Sequence, residues 1–271
     1  MAADAELPVY EVYAVRYATR EGRRQDNFIG GDPHDGPMAM DYFFWLVIGG
    51  GRRFVVDCGF TEEVSARRKR TYLRNPVDAL KLFGIDANEV EDVILTHLHY
   101  DHVGNFDRFP KAHFHLQEPE LTYATGKYMA HPFLNHAFEV EDVVGVVRLN
   151  YRGRVVFYSG DAEIAPGLNV YLVGGHSAGL QFVTVNTKRG RVVLASDTTH
   201  YYENMETGRP FTTTFHVGDT LEGYRRVRAL APTAEHIVPG HDPLVMQLYP
   251  APSPALEGIA VRLDVPPKAR G

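Results

Sequence analysis

This sequence predicts a mixed fold of strands and helices, α/β or α+β, and three observations lead there. Apolar, β-branched runs of strand length recur in two sets along the chain. Helix-start signals stand between and after those sets, at Asn75-Pro76, Asp86 and Asp219. Apolar residues at 44% and charged residues at 23% are ordinary globular proportions, so 271 residues can bury a sizeable core. The lone cysteine, Cys58, cannot form an internal disulfide, and the fold must stand on that core.

In chain order, residues 9–17 (VYEVYAVRY) are β-rich and partly alternating, a first strand. Residues 19–38 are polar and Gly-rich; a loop that long is functional or disordered, and it is proposed as a pocket loop. Residues 42–48 and 53–56 read as a hairpin joined across Gly49-Gly50-Gly51. Asn75 caps a helix with Pro76 in its first turn and Gly84 closing it. Asp86 to Glu89 offers a capping box ahead of a short buried strand over 93–96. A strand over 111–117 and a helix over 118–125 follow. The aromatic-rich stretch 126–138 (GKYMAHPFLNHAF) is a second candidate pocket wall. Apolar runs at 143–149, 155–158, 170–173, 182–187 and 192–196 read as strands. Asp219-Thr220-Leu221-Glu222 opens a helix to about Leu230, with Leu221, Tyr224, Val227 and Leu230 at helical spacing. Residues 237–238 give a last buried strand, and the Pro-rich tail 250–271 leaves room for an edge strand over 259–263. No repeat, low-complexity tract or linker interrupts the chain, so residues 1–271 are expected to form one domain.

The formal charge of −6 and a pI near 6.1 argue against a nucleic-acid surface. The basic run Arg67-Arg68-Lys69-Arg70 is a local exception, suited to a solvated helix face or an anchor for an anionic group. The longest apolar run, 42–48, is too short to span a bilayer. Residues 1–8 carry Asp4 and Glu6 and lack a basic-then-apolar leader pattern. The expectation is a cytoplasmic protein whose partner is a small molecule, not nucleic acid or membrane.

The densest chemistry lies at Thr96-His97-Leu98-His99-Tyr100-Asp101-His102, directly after Val93-Ile94-Leu95. His97 and His99 are two apart at a strand end, and a strand's period of two points both imidazoles the same way. A turn over 101–105 can bring Asp101 and His102 round to the same pocket. Three imidazoles and a carboxylate so close together suit zinc or another divalent first-row metal. Further donors end predicted strands downstream: His176 after Leu172-Val173-Gly174-Gly175, Asp197 after 192–196, and His241 after Val238-Pro239-Gly240. The two glycines before His176 are expected to let the backbone come close to a metal. His113 and His115 lack a following Asp-His and read as structural, as do His131, His136, His216 and His236; His34 is a minor pocket candidate.

His97-x-His99-x-Asp101-His102 resembles the signature of the metallo-β-lactamase superfamily. Within it, Asp57-Cys58-Gly59, Gly175-His176-Ser177-Ala178-Gly179, Asp197 and Gly240-His241 are similar to the N-acyl-homoserine lactonase branch of small-lactone hydrolases. The resemblance implies a four-layer αβ/βα sandwich. It implies that His97, His99 and His176 hold one divalent cation and that Asp101, His102 and His241 hold a second. Asp197 would bridge them, and Asp57 would orient a ligand imidazole from behind. The cations would be zinc, with manganese, iron or cobalt as alternatives. The reaction implied is ring opening of a lactone by hydroxide drawn from a shared water, with Asp101 passing a proton to the leaving alkoxide.

The lactonase branch carries a tyrosine three residues after the bridging aspartate to polarise the substrate carbonyl. Here His200 stands at that position, with Tyr201 and Tyr202 next, so one of these three is expected to take the role. An imidazole there tilts the substrate from long-chain acyl-homoserine lactones toward compact lactones of aromatic or pyridine breakdown. Other readings share parts of this site. A thioesterase of the glyoxalase II kind would use the same ligands. A di-iron redox member would want a glutamate where His99 stands. A non-catalytic metal-binding module needs only four donors, not seven.

Overall fold

A computed structural model describes residues 7–269. Residues 1–6 and 270–271, which include the two ends of the predicted domain, lie outside the described residues. A first sheet takes β1 (Glu11–Arg20), β2 (Met40–Gly49), β3 (Arg52–Val56), β4 (Thr71–Tyr72), β5 (Asp92–Ile94), β6 (His113–Gln117) and β7 (Val155–Tyr158). A second takes β8 (Ala162–Ala165), β9 (Leu168–Leu172), β10 (Gln181–Thr187), β11 (Gly190–Ser196) and β12 (Ile237–Pro239), and β13 (Ala260–Arg262) returns to the first. The spatial orders are β13-β1-β2-β3-β5-β6-β7, with β4 on the end of β1, and β12-β11-β10-β9-β8. β3, β5, β6 and β7 run parallel, as do β11 and β12; the other pairs are antiparallel.

Helices cover the outer faces: α1 (Glu62–Arg67), α2 (Pro76–Ala79), α3 (Tyr100–Val103), α4 (Glu118–Ala124), α5 (Pro132–Asn135), α6 (Val140–Tyr151), α7 (Tyr202–Thr207), α8 (Val217–Leu230) and α9 (Leu244–Leu248). The layering follows from the period of two. On β2, Phe43, Trp45 and Val47 face one core while Tyr42, Phe44 and Leu46 face another. The first set meets Val183, Val185, Val192 and Leu194 between the sheets. The second meets Val64, Val77, Tyr123, Val146 and Leu149 from the helices. Beyond the second sheet, Phe182, Val193 and Ala195 pack on Tyr224 and Val227 of α8. Both faces of each sheet are therefore buried, which is why the strands read as nearly continuous apolar runs. Each large side chain so buried contributes about 1.5–3 kcal/mol. This is the four-layer αβ/βα arrangement the resemblance implied.

Several expectations change. Residues 143–149 are not a strand; they form the body of α6. Val143, Val146 and Leu149 recur every three residues and bury one helix face, and that spacing overrides the β-propensity of valine. Gly145 lies under Phe106, where a Cβ would come within 2.0 Å of the ring. α8 starts at Val217, ahead of the predicted Asp219 cap, because the His216 ring accepts a hydrogen bond from the Asp219 amide. The helix after Asn75 is one α-turn, continued as a 3₁₀ turn over Leu80–Phe83 that Gly84 closes at φ 67°. Among the described residues, no helix is long and apolar enough to cross a membrane.

Candidate metal centre

Because β3 and β5 run parallel, as do β11 and β12, the chain leaves each pair at one sheet edge. Asp57 follows β3, His97 and His99 follow β5, Asp197 follows β11, and His241 follows β12. His176 sits in the turn after β9, and Asp101 and His102 lie in the single turn α3. β5 ends at Ile94, so His97 and His99 are loop residues and their common direction does not come from strand period. Their rings nonetheless meet edge to face, with centroids 4.5 Å apart. All seven predicted donors are buried.

The structure brings these donors together in overlapping groups: His97, His99 and His176; His97, His102 and Asp197; Asp101, His102 and His241; His176, Asp197 and His200. Within each group the donor atoms lie within 4.8 Å of one another. Asp197 sits between the two sides. Its Oδ1 is 3.1 Å from His241 Nε2 and 3.4 Å from His102 Nε2. Its Oδ2 is 3.0 Å from His200 Nε2, 3.2 Å from His176 Nε2 and 3.8 Å from His97 Nε2. Asp101 Oδ2 stands 3.7 Å from both His102 and His241.

Three inward nitrogens are aimed by a bond on the far side of the ring. His102 donates through Nδ1 to Asp57 Oδ2 at 2.7 Å, His176 to the Thr213 carbonyl at 2.6 Å, and His241 to the Asp41 carbonyl at 2.9 Å. These bonds fix the tautomers and leave Nε2 facing inward. His176 Nε2 then lies 2.8 Å from His99 Nδ1. Two buried nitrogens that close need a proton or a cation between them. The Nε2 atoms of His97 and His102 are buried and have no hydrogen-bond partner. Buried polar atoms are rarely left so, and a cation among imidazoles and carboxylates would satisfy both. The donor set therefore fits divalent metal.

The electrostatics agree. Burial, reinforced by the neighbouring imidazoles, holds His97 and His99 well below the usual histidine range, so both are neutral and can ligate. Burial also pulls down on His102 and His241, but Asp197 and the other nearby carboxylates outweigh it and raise both. Burial alone would raise Asp197; the surrounding imidazoles hold it ionised.

Asp57 anchors the back of the site. Its backbone lies in the left-handed region at φ 62°, and Ser196 does the same at φ 45°. Strain of this kind, about 1–3 kcal/mol each, persists because the surroundings fix it. Asp57 accepts from the Thr96 amide at 2.7 Å and the Thr96 hydroxyl at 2.8 Å, besides His102. Gly240 is required by contact: a Cβ there would lie 2.8 Å from Asp197 Oδ1. Gly175 has a different role from the one expected, because its left-handed backbone packs on Thr220 of α8.

The sequence reading missed Glu120. It is fully buried on α4 and accepts from the Leu98 amide at 2.9 Å, the Ser177 hydroxyl at 2.7 Å and the Gly179 amide at 2.8 Å. It thus ties the loop of His97 and His99 to the loop of His176. Burial pushes its pKa up against the pull of those donors. The available signal was an acid on the helix face that also carries Tyr123 and Ala124.

A cavity of about 470 Å³ opens over the cluster. Its wall includes Arg20, Gln25 and Asp26 from the long early loop region and His136 and Ala137 from the aromatic stretch 126–138. His34 is not part of that wall. His200 is, and its ring stacks on Phe211 with centroids 3.7 Å apart. Burial draws its pKa down to about 3 despite Asp197, so it is a neutral imidazole. Tyr201 and Tyr202 face elsewhere. The Tyr201 hydroxyl donates to the Ala39 carbonyl and accepts from Asn27, each at 3.1 Å. Tyr202 packs between the sheets with Val238 and Val245. His115 bonds Asp92 and Tyr158 in the first sheet, away from the cluster.

Comparison with known proteins places this geometry. The N-acyl homoserine lactonase of Bacillus thuringiensis is 30% identical over 138 residues, covering 50% of this chain and 49% of that protein. The chain thus spans about half the length of the curated relatives it first matches. An N-acyl homoserine lactone hydrolase solved with the product N-hexanoyl-L-homoserine at its catalytic metal centre superposes with a TM-score of 0.73 at 20% identity, over 88% of this chain and 96% of that one. A dizinc quorum-quenching lactonase solved with its product superposes at 0.67 and 16% identity, over 88% and 90%. The family model described as the metallo-beta-lactamase superfamily matches residues 41–241, from the second strand to the last candidate ligand. The chain belongs to the metallo-beta-lactamase superfamily.

Proposed function

We propose that this protein is a hydrolase that binds two divalent cations, zinc foremost, and opens the ester ring of a small lactone. The observation that carries the reading is the double contact of Asp197, one oxygen toward His102 and His241 and the other toward His97, His176 and His200. His97, His99 and His176 would hold one ion and Asp101, His102 and His241 the other, with Asp197 shared. Nitrogen and oxygen donors of this kind suit zinc. The relatives named as lactonases support the ring ester as the bond broken, and the net charge of −6 supports a small molecule over nucleic acid.

Divalent cations in such a set supply Lewis acidity to an ester carbonyl and bring the pKa of water toward neutrality. The chain supplies the rest. Asp57, Thr213 and the Asp41 carbonyl keep three imidazoles in one tautomer. His200, neutral and braced by Phe211, would donate a hydrogen bond from its ring N–H to the carbonyl oxygen as charge develops there, keeping its proton. Asp101, on the cavity wall, can take up the proton that the attacking water releases and pass it to the departing alkoxide.

The test is metal analysis of purified protein together with hydrolysis of a panel of lactones, open esters and thioesters. Two metals per chain and preference for lactones are expected. Asp197→Ala should lose at least one metal and nearly all turnover. A variant that keeps both metals and full turnover would refute the shared carboxylate, and preference for thioesters would move the substrate class.

A further inference from the structure

The cavity wall carries three arginines beside three aspartates, in a protein of net charge −6. Arg20, Arg68 and Arg70 all line it. Arg68 is committed to the fold: its Nε meets Glu139 at 2.7 Å, its other nitrogens bond the His136 and Phe138 carbonyls, and its guanidinium lies 3.9 Å over the Tyr100 ring. Arg20 and Arg70 differ. Among the described residues, neither has a carboxylate within ion-pair distance.

Arg20 closes β1 and gives one bond, from Nη2 to the Asn27 side chain at 3.2 Å. Its Nε is buried without a hydrogen-bond partner. Arg70 precedes β4 and donates to the Tyr100 hydroxyl at 3.0 Å and the Arg68 carbonyl at 2.9 Å. The Tyr100 hydroxyl in turn lies 3.1 Å from that of Tyr42. Both guanidinium charges act on the Tyr42 phenol, which also lines the cavity, so the two cations face the same space. No acid on this wall forms an ion pair with either, although the Asp101 charge acts on Arg70 and favours its cation. Asp101 and Asp197 are held among the imidazoles, and Asp26 is exposed.

The buried Arg20 Nε without a partner costs free energy, and two guanidinium groups on one half-enclosed wall favour an anion between them. An anion with planar oxygens, which a guanidinium binds with parallel N–H bonds, would satisfy that atom and pair both charges. Glu139 accounts for the charge of Arg68, whereas the hydrogen bonds of Arg20 and Arg70 go to neutral partners and leave their charges unpaired among the described residues. We infer that Arg20 and Arg70 hold an anionic oxygen group, a carboxylate or phenolate, carried on the substrate's ring beside the ester that opens. This rests on the hydrolase reading above and narrows its substrate to compact, negatively charged lactones. A cavity of about 470 Å³ accommodates a one- or two-ring molecule of that kind.

The experiment compares phthalide, a neutral aromatic lactone, with its ring-carboxylated and ring-hydroxylated forms on the zinc-loaded protein. The quantity read is the ratio of kcat/KM for the charged lactone to that for the neutral one, which general damage to the protein leaves alone. Wild type should favour a charged form, and Arg20→Met or Arg70→Met should each lower the ratio about 10- to 100-fold. Arg20→Lys and Arg70→Lys, which keep the charge, should recover part of it and guard against a Met variant that folds poorly. A wild-type ratio near one, or a ratio unmoved by both Met changes, overturns the inference while the hydrolase reading stands. If no lactone is opened here or in the panel above, the lactone reading fails and calorimetry with isophthalate decides the inference alone. Binding weakened tenfold or more in the Met variants upholds the anion site; absent or unchanged binding overturns it.

Discussion

In the proposed reaction His200 is the residue that would separate this site from a plain ligand cage. Its Nε2 lies 3.0 Å from Asp197 Oδ2, nearer than the 3.2 Å of His176, yet its ring is stacked flat on Phe211 at the cavity wall. A group held that way is preorganised to donate a hydrogen bond and has little freedom to lose on doing so. Tyr201 cannot take the role without giving up its bonds to Ala39 and Asn27. His200→Ala should therefore keep both metals and lower kcat by roughly 10²–10³, the usual effect of removing one such donor. Metal stoichiometry and kcat, measured together, decide the matter. Loss of a metal would make His200 a ligand, as its grouping with His176 and Asp197 allows. Unchanged turnover would leave it without a catalytic part.

At the scale of the elements, the site depends on two loops being held in register, and Glu120 of α4 is what holds them. Its carboxylate accepts from Leu98 on one loop and from Ser177 and Gly179 on the other. In Glu120→Gln the amide turns an N–H toward a buried donor, leaving it unpaired. The expected cost is about 2–4 kcal/mol, seen as a thermal midpoint lower by roughly 5–10 °C. Metal should leave more readily to a competing chelator, because both ligand loops loosen. An unchanged midpoint and unchanged metal retention would reduce Glu120 to a passive core residue. Glu120 also marks where the sequence stops being legible. The strand-end donors stand out because each follows an apolar run, and β2 is readable as a strand from its apolar run over 42–48. The tie between two loops is not, since an acid inside a short helix looks like any solvated one until the helix is packed. Residues 143–149 failed in the other direction: valine favours strands, and only the contact with Phe106 and the core shows that the face recurring every three residues governs. Arg20 and Arg70 were unreadable for a third reason, because a missing partner is a property of the assembled cavity.

Over the whole molecule, folding stability should carry the mark of one acid that is not among the candidate metal ligands. Asp142 lies in the first turn of α6, where a negative charge is ordinarily welcome. Here its Oδ2 is buried without a hydrogen-bond partner. Burial raises its pKa from 3.8 to about 7; Glu139 and Asp107 add to the rise, and Arg67 and Arg68 offset part of it. The sign follows from where the proton stays. Below 3.8 the acid is protonated in both the folded and unfolded chain, and its native environment costs nothing. As pH rises from there to about 7, the unfolded chain releases the proton while the folded one retains it, so stability falls across that window and levels off above it. The full linkage for such a shift is about 4 kcal/mol, and residual solvent access reduces it to about 2. Asp142→Asn removes the ionisation while keeping the shape. The variant should gain about 2 kcal/mol over wild type near pH 8.5 and clearly less near pH 5, read as the difference in thermal midpoint at each pH. A gain of the same size at both values would point to better packing by the amide, and no gain at the higher pH would mean that Asp142 ionises freely in the folded protein.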